Sequence, residues 1–443
     1  MNARIAAAVL LMAAWALLSW RAWRRVRVTR QPPPDTGGWL VAHASQTGLA
    51  QQLAEQSAAA LRAAGHATTV LPLNHVDAAR LAACQRALFL VSTYGEGDAP
   101  DGAARFAQEV MRPASPGPLA HLRYALLALG DSSYTHFCGF GRGLDHWLAA
   151  QGAQRLFDRV DVDQADPAAL RHWQRELVSA CGAAEQAAWQ PPDYQRWRLS
   201  ARVHLNPGSS GGPCYLLSLV CDAQASWQAG DIAEVGPRAA VDAPLQHHRE
   251  YSIASLPADG CLQLLVRQQR QADGSLGLGS GWLTERCPLG AEVALRVRSN
   301  HGFHLPPGPR PLILIGNGTG LAGLRAWLKA RVAAGHRRNW LVFGERHSAH
   351  DALLQDELRD WQAQGMLPEL DLVYSREGQG YVQDRLRARA ATLRTWVDRG
   401  AIIAVCGSLQ GMAQGVDDAL TDILGAPVVL ALRADGRLRR DVY

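Results

Sequence analysis

The chain has 443 residues, 48% of them hydrophobic, which is enough to bury full cores in two or three domains and too apolar for a disordered or fibrous chain. Its formal charge of +5 leans basic, but much of it comes from an arginine cluster near the N-terminus, and from Trp39 to Gln190 acidic residues slightly outnumber basic ones, so nucleic-acid binding is excluded as a reading. The eight cysteines fall at irregular spacing, with no Cys-x-x-Cys pair and no histidines at zinc-ligand distances, so neither a disulfide framework nor a metal site is expected and a reducing compartment fits best.

In chain order, the first element is an uncharged run from Ile5 to Trp20, slightly short of the roughly 20 apolar residues that span a bilayer. Trp15, Trp20 and Trp23 could sit near an interface, and Arg21, Arg24, Arg25, Arg27 and Arg30 follow the run against Arg4 before it. By the positive-inside rule this reads as a single-pass anchor in the inner (cytoplasmic) membrane with the catalytic domains in the cytoplasm, residues 1–30 forming the anchor and its basic flank. A cleaved signal peptide has the opposite charge bias and a small-residue cleavage site. Residues 31–38, with Pro32 to Pro34, Gly37 and Gly38, read as a linker.

Beyond the linker, apolar runs alternate with helical patterns, the signature of α/β architecture with a parallel sheet. Trp39 to Ala44 is a strand leading through Ser45, Gln46, Thr47 and Gly48 into a helix that runs through Leu61. A hydroxyl-rich turn at a helix N-terminus suits a phosphate, whose charge meets backbone N–H groups and the helix dipole. An ordinary Ser or Thr helix cap gives the same pattern. Ala87 to Val91 runs into a loop with Thr93, Tyr94, Gly95 and Gly97, and Tyr124 to Leu129 runs into one with Gly130, Asp131, Tyr134, Phe137 and Cys138. In a doubly wound sheet such loops converge on the ligand crevice, with Tyr94 and Tyr134 placed to stack on a flat ring. Taken together, SQTG, STYGEGD and LGDSSY-x-x-FC resemble the flavodoxin-like FMN domain of diflavin reductases, the last motif being closest to the form in sulfite reductase flavoproteins.

That domain is expected over 39–190, with Pro191 and Pro192 as a hinge. From 195 to 305 short alternating runs broken by Gly and Pro read as an antiparallel β-barrel. On the strand beginning at Arg249, Arg249 and Tyr251 share one surface while Ser252 faces the other. Gly277 to Leu283, with Gly279 and Ser280, lets backbone amides approach a phosphate. Both segments resemble the FAD domain of the ferredoxin-NADP reductase superfamily. The resemblance implies FAD binding by Arg249, Tyr251, Ser252, Gly279, Ser280 and Tyr443.

Residues 306–443 return to α/β. The strand Leu312 to Ile315 leads to Gly318, Thr319 and Gly320 and a helix through Ala330; alone, such a glycine-rich turn is also a common tight connection. Ser375, Arg376, Tyr381 and Gln383 resemble the family's NADPH adenosine site, where a planar guanidinium pairs with phosphate oxygens. Cys406 follows a further strand. The terminal Arg440-Asp441-Val442-Tyr443 would on physical grounds be a frayed tail, but the resemblance implies an aromatic lying over the flavin ring. It also implies that Ser252, Cys406 and Asp441 surround the reacting nicotinamide and flavin atoms and align them, with Tyr443, the aromatic that must move aside for the nicotinamide, completing the catalytic set.

The resemblance therefore implies three cofactors, FMN, FAD and NADPH, no metal, and electrons moving from NADPH through FAD to FMN and on to a one-electron acceptor: a haem protein, a membrane redox partner or a ferric chelate. The alternatives are the flavoprotein subunit of an assimilatory sulfite reductase and a non-catalytic flavin-binding module, the complete Ser252, Cys406, Asp441 and Tyr443 set arguing against the latter. One departure from the family pattern stands out. A helical connecting insertion normally precedes the strand of Arg249, yet Val235 and Arg249 lie fourteen positions apart. Without it, looser docking of the FMN and FAD domains, or docking through a different surface, is expected.

Overall fold

The computed structural model describes residues 38–45, 48–112, 119–132, 134–181, 193–222 and 225–443. The run Ile5 to Trp20, the hinge prolines Pro191 and Pro192, and Gln46 and Thr47 lie outside the described residues. Among the described residues no helix is long and apolar enough to cross a membrane. This corrects the expectation of a single-pass inner-membrane protein. The run it rested on falls short of a bilayer's span.

The first sheet contains β1 (Trp39–Ala44), β2 (Thr68–Pro72), β3 (Arg86–Ser92), β4 (Arg123–Gly130), β5 (Gln154–Arg155) and β6 (Val160–Asp163). All pairings are parallel, in the order β2-β1-β3-β4-β5, with β6 also pairing β4. The strands are apolar along their length because both faces are covered. Leu40, Ala42, Phe89, Val91, Tyr124 and Leu126 pack into one core, and Trp39, Val41, Leu88, Leu90, Ala125 and Leu127 into the opposite one. This alternation follows the two-residue period of a strand. The strand order is the flavodoxin-like one, and it opens a crevice at the C-terminal ends of β1 and β3.

The second sheet is antiparallel: β7 (Gln195–His204), β8 (Cys214–Val220), β9 (Ile232–Gly236), β10 (Arg249–Ser252), β11 (Leu262–Arg267) and β12 (Glu292–Arg298). Its order is β10-β9-β12-β7-β8-β11, and a bridge between Ile253 and Leu264 joins the two ends. Alternate residues, among them Trp197, Leu199, Leu217, Val235, Leu264 and Val293, turn into one shared core.

The third sheet is parallel again: β13 (Leu312–Asn317), β14 (Asn339–Glu345), β15 (Glu369–Tyr374), β16 (Ile402–Gly407) and β17 (Leu438–Val442), in the order β15-β14-β13-β16-β17. β13 leaves for β14 on one side and receives β16 on the other, which makes the ends of β13 and β16 a second switch point. The helix after β13 spans Leu321–Ala333 and is buried almost all round. Its Arg325 donates from Nη1 to Ala254 O and Gln263 Oε1, both at 2.7 Å, and its Trp327 Nε1 donates to Phe303 O at 3.0 Å. The second and third sheets are thereby locked across a common core that includes Cys214, Ala254, Leu265 and Phe303 from one and Leu314, Leu324 and Trp327 from the other.

Candidate functional site at the meeting of three clefts

The first cleft, about 630 Å³, opens at the ends of β3 and β4. Thr93, Tyr94, Gly95, Gly130, Asp131, Tyr134, Phe137 and Cys138 line it; Ser45, Gly48 and Gly97 stand in the adjoining loops. Hydrogen bonds fix the loops. Tyr94 and Asp98 exchange both backbone N–H bonds at 2.9 Å, and Glu96 accepts from Thr135 N at 3.1 Å, tying the second loop to the third. Asp163 accepts from Ser132 N and Oγ at 2.8 and 2.6 Å. A fourth loop, Gln164 and Ala165 after β6, also lines the cleft with left-handed backbone at both residues. The sequence reading missed it because neither residue is a glycine and neither carries a flavin-binding signal. The Cys138 thiol is buried, donates to Ala128 O at 3.3 Å, and is pushed up to about 12 by burial, so it stays protonated.

The far wall of this cleft belongs to the other sheets. His247, His248, Arg249 and Glu250 stand there with Val442 and Tyr443. The shortened connection between β9 and β10 thus delivers two histidines to the crevice, their rings stacked 4.7 Å apart. Looser docking is not what the structure shows: the loop at Gly48 packs so closely that an added Cβ there would lie 2.8 Å from Ser299 O. His248, Glu234 and Glu250 bring ligating atoms within 4.8 Å of one another. Arg296 and Arg298 pair with Glu234, and Arg298 Nη2 lies 2.6 Å from Glu250 Oε1, so positive charge is already supplied. Burial pushes the His248 imidazole down to about 4, leaving it neutral near pH 7.

The second cleft, about 290 Å³, is lined by Arg249, Tyr251, Ser252, Gly279, Ser280 and Tyr443. Gly279 is required there: a Cβ would come within 2.6 Å of Arg249 Cγ and 2.7 Å of Tyr251 Oη. Ser280 Oγ accepts from Gln269 N at 3.0 Å and so fixes the turn. The third cleft, about 630 Å³, runs from Gly318 and Thr319 past Ser375 and Arg376 to Tyr381 and Gln383, and Gly320 packs beneath it. Arg267, Asn317, Glu345 and Arg346 also line it. Arg267 comes from β11 and reaches Glu345 Oε1 at 2.8 Å. Burial pushes the Glu345 carboxyl up to about 7 against the opposing pull of Arg267.

The clefts converge on the chain terminus. Ser252 Oγ donates to Asp441 Oδ2 at 2.6 Å across 189 positions of sequence, and Cys406 Sγ approaches the same oxygen at 3.7 Å. Cys406 and Asp441 are register partners on β16 and β17. Burial raises the Asp441 pKa, with the Ser252 and Cys406 bonds opposing, and raises Cys406 well above the ordinary thiol value, the nearby Asp441 charge adding to the effect. Cys406 is therefore a thiol donor rather than a thiolate nucleophile. Tyr443 lines all three clefts. Its N–H donates to Gly407 O at 3.1 Å, its C=O accepts from Leu409 N at 3.0 Å, and its Oη lies 3.3 Å from Thr319 Oγ1.

A flavodoxin-type crevice, a glycine-bearing turn beside an antiparallel sheet and a groove at the switch point of a parallel sheet, all meeting at one aromatic residue, fit a flavin- and nicotinamide-dependent oxidoreductase. Comparison with known proteins agrees. Residues 41–173 match the flavodoxin family model, and 314–418 match the oxidoreductase NAD-binding domain. The chain is similar to the sulfite reductase [NADPH] flavoprotein alpha-component of Neisseria meningitidis serogroup C (strain 053442), with 28% identity over 576 positions, 97% of this chain and 95% of the relative. The same component of Salmonella typhi is 27% identical over 97% of this chain and 93% of the relative, and that of Klebsiella pneumoniae 27% over 90% and 89%. The alignment to the Neisseria protein spans more positions than this chain has residues, so that relative carries segments with no counterpart here.

Proposed function

We propose that the three clefts hold FMN, FAD and NADPH in that order along the chain, the antiparallel sheet closing into a barrel through the Ile253–Leu264 bridge. The chain is an NADPH-dependent diflavin oxidoreductase, moving electrons from NADPH through FAD to FMN and on to a one-electron acceptor. The observation that carries this reading is that Tyr443 lines all three clefts. Bound flavins supply hydride acceptance and the division of an electron pair into single electrons, and the protein supplies orientation and electrostatics.

The residues fit these groups. Tyr94 and Tyr134 flank the first cleft for a flat ring, with Asp131, Phe137 and Cys138 at its edge and Thr93, Gly95 and Gly130 bringing backbone close. Arg249 and Tyr251 face a diphosphate-bearing ligand beside the turn at Gly279 and Ser280. Ser375 and Arg376 meet the 2'-phosphate, Tyr381 covers the adenine, and Gly318 and Thr319 take the pyrophosphate at the helix N-terminus. With FAD bound in the second cleft, Tyr443 would be the aromatic side chain beside the flavin ring. Ser252, Cys406 and Asp441 would align the reacting nicotinamide and flavin atoms and stabilise charge developing between them.

For the acceptor, a haem or iron-linked redox protein is the reading we adopt; the relatives are called the alpha-component of a sulfite reductase, which favours a partner subunit. The test is an anaerobic NADPH titration of the purified protein with its flavins released and separated by chromatography. Equal FMN and FAD, both reduced, are expected. Absence of FMN, or flavins that NADPH does not bleach, would sink the proposal. Reduction of cytochrome c, set against stable co-purification with a haem subunit, separates a general reductase from a dedicated sulfite reductase component.

A further inference from the structure

We infer that Arg440 is the positioning residue that seats the flavodoxin domain on the reductase half, an inference that rests on the diflavin reading for its electron-transfer consequence. Arg440 lies on β17, one position before Asp441, and side chains on a strand alternate between its faces. Asp441 turns to Ser252 and Cys406. Arg440 turns the other way, toward the flavodoxin domain, where its guanidinium lies over the Tyr94 ring with 4.1 Å to the centroid. Its Nε donates to Asp101 Oδ2 at 2.8 Å, and Nη2 donates to Asp101 Oδ1. Nη1 donates to Asp417 Oδ2 at 2.6 Å, within its own domain. The arginine side chain is only 2% exposed.

The charge arrangement is that of a receptor. Arg433, on the neighbouring helix Ala426–Ala434, also reaches both carboxylates, Asp417 at 2.9 Å and Asp101 at 3.6 Å. Two arginines and Asp417 belong to the reductase half, and Asp101 comes from the flavodoxin domain. Without Asp101, two cations face one carboxylate; with it, the node is neutral. Asp417 keeps both arginines aimed when the domain is away, so the cost of ordering them is met before docking and Asp101 completes a preformed fork. Because Tyr94 lies in the loop that lines the first cleft, the contact that docks the domain also fixes the ring beside its ligand. The short connection between β9 and β10 leaves this work to direct contacts, and β17 divides the two flavin sites, Arg440 and Val442 on one side and Asp441 on the other.

The experiment uses the full chain loaded with both flavins, comparing wild type with Asp101→Asn and Asp101→Glu. Small-angle scattering reads domain separation without any electron transfer, and stopped-flow absorbance reads FAD reduction by NADPH separately from the arrival of electrons at FMN. For Asp101→Asn we expect a larger radius of gyration, an unchanged FAD step and an FMN step slowed at least tenfold, with FMN retained; Asp101→Glu should recover part of both losses. An Asp101→Asn protein with wild-type scattering and a wild-type FMN step overturns the inference. If the wild type proves not to carry FMN, the diflavin reading fails while the scattering comparison still decides whether this node docks the domain.

Discussion

Asp441 holds two donors on one carboxylate oxygen, the Ser252 hydroxyl at 2.6 Å and the Cys406 thiol at 3.7 Å, and is 3% exposed. A hydrogen bond to a buried charge contributes about 1.5–3 kcal/mol, so losing one costs roughly tenfold to hundredfold in any step that depends on it. Asp441→Asn and Ser252→Ala should therefore slow flavin reduction by NADPH by that factor while leaving NADP⁺ affinity within about twofold, because the proposed adenosine contacts, Ser375 and Arg376, are untouched. Stopped-flow reduction at saturating NADPH measures the first quantity and equilibrium titration the second. A variant that weakens binding and leaves the hydride step untouched would make these groups docking residues instead.

Glu345 gives a prediction with a sign. Its carboxyl, pushed up to about 7 by burial, lines the dinucleotide groove beside Arg267. A raised acid pKa means the folded protein favours the neutral form, so this group's contribution to stability is present below the ordinary glutamate value near 4.5 and lost as pH rises through about 7. The same ionisation places a negative charge beside the Gly318 turn proposed to take the pyrophosphate and ties Arg267 to itself. The KM for NADPH should rise several-fold between pH 6 and 8 in the wild type relative to Glu345→Gln, whose profile should be flatter. Parallel profiles would show that Glu345 does not face the ligand. Nothing in the sequence marked Glu345 or Arg440 as special: Glu345 is a lone charge at the end of an apolar strand, and Arg440 is one of three adjacent charges, and neither pattern carries a periodicity. Ser252, Cys406 and Asp441 were legible only through the family's motif order, because their juxtaposition joins strands of two different sheets.

At the scale of elements, legibility followed burial. β1, β3, β4, β13 and β16 read as strands because both faces are covered and the runs are apolar throughout. β17, Leu438–Val442, has the opposite texture, two arginines and an aspartate, and local physics alone reads it as a frayed tail. Arg440 and Asp441 are satisfied by Asp101, Asp417 and Ser252, and Arg439 by the His301 and Gly302 carbonyls, which no local window contains. The turn after β13 shows the converse case, where the glycine pattern was visible but its reason was not. A Cβ on Gly320 would lie 2.1 Å from Cys406 O, so the helix Leu321–Ala333 sits against β16 only because the residue is glycine. Backbone atoms cannot yield as a side-chain tip can, and overpacking of this kind costs about 1–3 kcal/mol or more. Gly320→Ala should lower the melting temperature and abolish NADP⁺ binding together, as scanning calorimetry and titration would read. A variant that kept both would mean β16 moves more freely than its buried strand neighbours allow.

The whole molecule divides unevenly. The two cores of the first sheet are built of buried residues from Trp39 to Leu177 alone, whereas one core of the third sheet takes buried side chains from the second. Arg325 reinforces that union from within, bonding Ala254 and Gln263. Against it, among the described residues the flavodoxin domain shares no fully buried core with the other sheets and is attached by the Arg440 node, by Tyr94 packed at the edge of a third-sheet core, by the helix Ala104–Glu109 against the helix Ala426–Ala434, and by packing at Gly48. Cooperative unfolding follows shared cores, so two transitions are expected in calorimetry, one for the flavodoxin domain and one for the second and third sheets together, despite three sheets in the chain. Each ligand stabilises only the unit whose native state binds it, by about 2.7 kcal/mol at a free concentration of one hundred times Kd. FMN added to the flavin-depleted protein should therefore raise one transition by several degrees and leave the other in place, while FAD or NADP⁺ should do the reverse. Asp101→Asn, by loosening the ionic node between the units, should shift the transitions apart without altering which ligand moves which. A single transition that responds to all three ligands would mean that the docking interface is as cooperative as the cores, and that the flavodoxin domain does not leave its seat during turnover.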